Sequence, residues 1–161
     1  SEESAGEIYA KTNAILTKKT PAQLLEQMKV EILCTTNDPL DDLSSHVKIA
    51  QGNFGFTVLP TFRSDDLFMV DPAEFRAFLR KLEGVVSFKI ESLDDLTHAI
   101  DSRIEFFHQQ GCRLSDFGMG GSLSFVQFNL NEVEGIFSKF LRKKVKKIHN
   151  NLTANPTRSK N

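Results

Sequence analysis

Val30-Glu31-Ile32-Leu33-Cys34-Thr35-Thr36-Asn37-Asp38-Pro39 is the stretch on which the fold turns. A short run of branched apolar residues gives way to small polar ones and then to proline. That is the pattern of a buried strand whose carboxyl end opens into a polar loop. It returns twice: Thr57-Val58-Leu59-Pro60 leads into Thr61-Phe62-Arg63-Ser64-Asp65, and Cys112-Arg113-Leu114 into Ser115-Asp116-Phe117-Gly118. In parallel sheets, ligands bind beyond the carboxyl ends of the strands, where loops converge. Three polar strand ends therefore predict one shared site.

Working outward, helical signals fill the gaps. Residues 6–17 carry Ile8, Ala10, Ile15 and Leu16 loosely on one face. Thr20-Pro21-Ala22-Gln23 reads as an N-cap, a proline in the first turn and the partner of a capping box. Leu40, Leu43, Val47 and Ala50 predict a helix over 40–51, ended by Gly52-Asn53. The strand at 54–59 is apolar throughout, as expected of one covered on both faces. Residues 64–70 read as a loop. Asp71-Pro72-Ala73-Glu74 starts a helix through about Leu82, and Val85 to Ile90 suggests a short extended piece. Ser92 to Asp95 caps a long helix with Leu96, Ile100, Ile104 and Phe107 on its apolar face, stopped by Gly111. Gly118, Gly120 and Gly121 make a turn, Val133 to Leu152 a helix, and 153–161 a polar, disordered tail. Strand alternating with helix argues for α/β with parallel strands.

The totals narrow the function classes. The chain has 161 residues, 40% hydrophobic and 25% charged, with a net charge of −1. These values suit one soluble domain with a real core, and the charge argues against a general nucleic-acid binder. No apolar run reaches the roughly 20 residues that cross a bilayer. The acidic start, Ser1-Glu2-Glu3-Ser4, is unlike a secretion signal and lacks an initiator Met, which suits a start inside a longer protein. Cys34 and Cys112 read as reduced thiols in buried strands, and the chain as cytoplasmic.

Several motifs carry little chemistry. Asp116-Phe117-Gly118 spells the metal-binding triplet of kinases, but no glycine-rich loop, strand lysine or catalytic loop precedes it. The glycine cluster lacks the Lys-Ser/Thr of a phosphate loop. Arg142-Lys143-Lys144 with Lys146-Lys147 could touch nucleic acid or an anionic surface, but such a run is more often the solvated end of a helix. His46, His98, His108 and His149 form no metal-ligand spacing, and His98 and His108 read as surface residues. Arg63 stands out. A guanidinium just past a buried strand can hold a carboxylate or phosphate through paired hydrogen bonds, or form an ion pair with Asp65 or Asp66. Asp116 suits a general base or an acceptor for sugar hydroxyls, or else a turn carboxylate.

Together these segments resemble the central part of the uronate (glucuronate) isomerase family. The resemblance rests on Leu24 to Pro39, Val58-Leu59-Pro60-Thr61-Phe62-Arg63, Asp71 to Arg76 and Gly111 to Gly118. It covers residues 5–141, about the middle third of a full member. It implies part of a (β/α)8 barrel of the metal-dependent, amidohydrolase-like superfamily, with about three parallel strands and flanking helices. Residues 1–152 would be a fragment of that single domain. The family interconverts D-glucuronate with D-fructuronate, or D-galacturonate with D-tagaturonate. Its divalent metal, zinc by the resemblance, takes ligands from segments this chain lacks. Carried over, Arg63 would bind the substrate and Asp116 would be the catalytic acid.

Two positions depart from the family: Asn37 stands for Asp, and Phe117 for the His of Ser-Asp-His-Gly. Phenyl in place of imidazole removes a hydrogen-bonding and proton-shuttling group. The expectation is a fragment inactive as isolated, with a uronate substrate, no nucleic-acid or membrane partner, and a homo-oligomer left open for the intact enzyme. The alternative is a non-catalytic α/β module that holds a small carboxylic acid through Arg63.

Overall fold

The computed structural model describes residues 2–69, 71–118 and 129–142. Its strands are β1 (Ile32–Asn37), β2 (Thr57–Arg63) and β3 (Ser115–Asp116), all parallel, with β2 in the centre. The helices are α1 (Glu2–Leu16), α2 (Pro21–Gln27), α3 (Ser44–Ala50), α4 (Pro72–Val86), α5 (Leu93–Gln109) and α6 (Leu130–Leu141), with a 3-10 turn at Asp65–Phe68. The chain divides into two compact units, 1–63 with 104–116 and 64–103 with 117–161. Among the described residues, no helix is long and apolar enough to cross a membrane.

The first unit holds the sheet. Thr20 caps α2 through the Gln23 amide, and the Gln23 side chain answers to the Thr20 N–H. β2 does not stop at Leu59; it runs through Pro60 to Arg63. The Phe62 N–H donates to Leu114 O on the β3 side, so the position two residues earlier faces the same way. There the β3 ladder has not begun, and the missing N–H of Pro60 costs nothing. Phe62 packs edge-on to Phe107 of α5 at 5.1 Å.

β3 likewise falls later than Cys112–Leu114. Those residues finish α5 instead: Gly111 takes φ +92°, Cys112 N–H donates to Phe107 O, and the Arg113 guanidinium donates to His108 O. The helix predicted from Leu40 begins only at Ser44. Asp38, Asp41 and Asp42 accept from the N–H groups of Leu40, Leu43 and Ser44, and such turns compete with helix.

Central β2 is buried at three successive positions, Pro60, Thr61 and Phe62, so both its faces are covered there, whereas β1 is open on one face. Cys112 is buried, but it precedes β3 rather than lying in it. Cys34 is exposed on edge strand β1, and Ile32 on the same face is 61% exposed.

The second unit is helical. Asp71 caps α4 by accepting from Ala73 N and Glu74 N. Phe75, Phe78, Leu79 and Leu82 are its buried stripe, and Phe75 meets Phe137 and Phe140 of α6 edge-on. Val85 and Val86 continue α4 until Ser87 turns to φ +65°, so no extended piece forms at 85–90. Ser92 and Asp95 cap α5 reciprocally. Its buried line is Ala99 and Arg103 in this unit and Phe107 where the helix continues in the first, and there Ile104 is 47% exposed. His98 and His108 are exposed. The turn at Gly120 and Gly121, the helix beyond residue 142, most of the basic run, His149 and the tail at 153–161 lie outside the described residues.

Candidate functional site at the carboxyl ends of the strands

β2 and β3 end side by side, and their register sets Arg63 opposite Asp116. The two residues, 53 positions apart, form a two-pronged pair. Arg63 Nε donates to Asp116 Oδ1 at 3.1 Å, and Nη2 donates to Oδ2 at 2.6 Å. This fork-to-fork geometry is the strong form of the interaction. Thr36, next to last in β1, reaches Asp116 Oδ2 at 3.4 Å through its hydroxyl. Strand side chains alternate between faces, so Thr36 shares the open face of β1 with Ile32 and Cys34. Both charged side chains stay in touch with solvent, at 40% and 36% exposure.

The Arg63 hydrogen bonds hold the Asp116 carboxyl below its ordinary range against the opposing effect of burial; the Arg63 positive charge and the Thr36 hydroxyl add to them. Asp116 therefore stands as a carboxylate, an acceptor, at neutral pH. The sequence places Arg63 and Asp116 just past their strands; the structure makes each the last residue of its strand.

A second polar group lies on the other face of β1. Thr35 Oγ1 sits 2.6 Å from Asn37 Oδ1 and 2.8 Å from His46 Nε2, and Asn37 Nδ2 donates to Asp41 Oδ2 at 2.9 Å. Asn37 is buried. Sequence reasoning missed Thr35, Thr36, Asp41 and His46. The available signal was polar Thr35 and Asn37 following Leu33 at alternate positions, where an apolar face should continue.

In the second unit, Asp65 Oδ1 accepts from the Gly118 N–H at 2.8 Å. A Cβ on Gly118 would lie 2.7 Å from the other Asp65 oxygen, which explains the glycine. The Phe117 ring lies 4.5 Å from that of Phe68, so the position holds an aromatic contact. Among the described residues, no three of His, Cys, Asp and Glu gather as metal ligands.

A family model described as glucuronate isomerase matches residues 1–154. A uronate isomerase of Caldicellulosiruptor bescii is 39% identical over 141 residues, covering 87% of this chain and 30% of that protein. One from Bacteroides thetaiotaomicron is 36% identical over 142 residues, covering 86% and 30%. The crystal structure of a uronate isomerase from Thermotoga maritima superposes with a TM-score of 0.76 at 34% identity, over 92% of this chain and 33% of that one. The chain thus spans about 30% of the length of the curated relatives it matches.

Proposed function

The chain belongs to the glucuronate isomerase family, and we propose that it is the section of a cytoplasmic uronate isomerase that holds the sugar acid. Its three parallel strands with flanking helices are a section of that family's barrel. The intact enzyme would interconvert an aldose uronate and its ketose, as D-glucuronate with D-fructuronate, by moving a proton between neighbouring carbons. The observation that carries this reading is the register of Arg63 against Asp116 at the carboxyl ends of β2 and β3.

In this reading Arg63 is the substrate-binding residue. Its planar donors match a carboxylate or paired sugar oxygens, and Asp116 fixes their plane. Asp116 is the candidate catalytic residue. Held ionised by Arg63, it would accept a hydrogen bond or a proton from a sugar hydroxyl. The superfamily's metal would polarise substrate oxygens. The described residues do not supply a site for it, so no step is assigned through it.

The alternative, a stand-alone acid-binding module, is not favoured beside relatives at 32–39% identity. The test is kinetic. In an intact enzyme carrying this segment, Arg63→Lys loses the fork and should raise KM for D-glucuronate roughly ten- to hundredfold with a smaller change in kcat. Unchanged kinetics would remove Arg63 from the site. Three strands leave the barrel open, so the isolated 161 residues should form no ketose, and its formation would refute the fragment reading.

A further inference from the structure

We infer that His46 is a positioning residue for the end of β1, acting through Thr35 and Asn37 on Asp41. The bonds have a fixed direction. A carboxylate can only accept, so the Asn37 side chain turns its Nδ2 toward Asp41 Oδ2 and leaves Oδ1 as an acceptor for Thr35. The Thr35 hydroxyl has one proton. The 2.6 Å contact with Asn37 Oδ1 takes it, because Leu59 O at 3.4 Å is too distant to compete. The 2.8 Å contact with His46 then requires Nε2 to be the donor. The imidazole N–H thus starts a line that runs from α3 through β1 to the loop carboxylate.

Asp41 closes the line. Its Oδ1 accepts from the Leu43 N–H at 2.8 Å, and Leu43 is fully buried with φ +55°, a backbone state that needs support from its surroundings. The other ring nitrogen, Nδ1, is buried with no hydrogen-bond partner among the described residues. Thr36, between Thr35 and Asn37, touches Asp116. That this rim serves an isomerisation rests on the reading above; the bond line does not.

The test is made on this chain by nuclear magnetic resonance. Long-range nitrogen–proton correlation should show the His46 proton on Nε2; a proton on Nδ1 in the neutral ring overturns the proposal. Amide exchange at Leu43 reads the far end. His46→Leu should speed it roughly five- to tenfold, and His46→Gln, which keeps a donor, should hold it within about twofold of the parent. A role in packing alone predicts the reverse order. Thr35→Val cuts the same line at its middle and should match His46→Leu, with the double variant adding nothing. Additive effects, or unchanged exchange at Leu43 in Thr35→Val, would refute it.

Discussion

The two compact units differ in the side chains buried along α4 and at the strand ends. In the second, α4 and α6 meet through phenyl rings, and the buried stripe of α4 is wholly apolar: Phe75, Phe78, Leu79 and Leu82. In the first, Phe62 and Phe107 pack in the same manner, yet the buried positions toward the strand ends include polar Asn37 and Thr61. Burying a polar group gains nothing unless its bonds are made. A chain that places such groups where aliphatic residues would stabilise more is trading stability for a defined arrangement of donors and acceptors. The contrast separates what keeps the protein folded from what the carboxyl rim is for.

The largest effects should come from the apolar cores. Phe107→Ala in the first unit and Leu82→Ala in the second each empty a site that is 0% exposed. Each should cost about 3–5 kcal/mol, read as a shift in the urea midpoint. Thr61→Ser, which keeps the hydroxyl, should cost far less. If Thr61→Ser and Phe107→Ala cost the same, the division between core and rim collapses.

A smaller effect probes a local device. Asp71 accepts two N–H groups at the start of α4, and Asp71→Ala should cost about 1 kcal/mol. Amide exchange should show the loss in α4 and leave β1 and β2 unchanged. Equal loosening of the strands would mean that the units do not respond separately.

What was legible in the sequence follows the same line between local and distant. The caps at Thr20, Asp71 and Ser92 and the stop at Gly111 are each decided within a few residues, and the structure has them all. Pro60 misled because its effect depends on where β3 begins, fifty-odd residues later. The start of α3 was lost to three aspartates competing for the same N–H groups. Cys34 read as buried because strand periodicity cannot say which face finds a cover. At the site, polar strand ends predicted one rim shared by Arg63 and Asp116, with rival partners open for each side chain. Register between β2 and β3 joins them, and neither sequence segment contains that register.

The smallest effect tests that joint by acid. Among the described residues, the carboxylates of Asp42, Glu83, Asp95 and Asp116 sit below their ordinary values. Three are lowered chiefly by groups a few positions away: Asp42 by the Ser44 N–H, Glu83 by the Ile90 N–H, and Asp95 by Ser92 and the Glu91 N–H. Asp116 is lowered first by the Arg63 side chain on another strand. A carboxyl whose folded value is depressed stabilises the fold above its unfolded value, here near 3.8. That contribution disappears as the pH falls through the folded value. Among these four, acid should therefore loosen three local turns, and at Asp116 it should separate neighbouring strands. The Phe62 amide, bonded across to Leu114 O, reports that separation. Its exchange protection should fall below about pH 4 in the parent. In Asp116→Asn protection should be lower at neutral pH and flat across that range, because no proton remains to be taken up. An Asn variant that keeps the acid step would mean that the strand ends are held by something other than the Arg63–Asp116 pair.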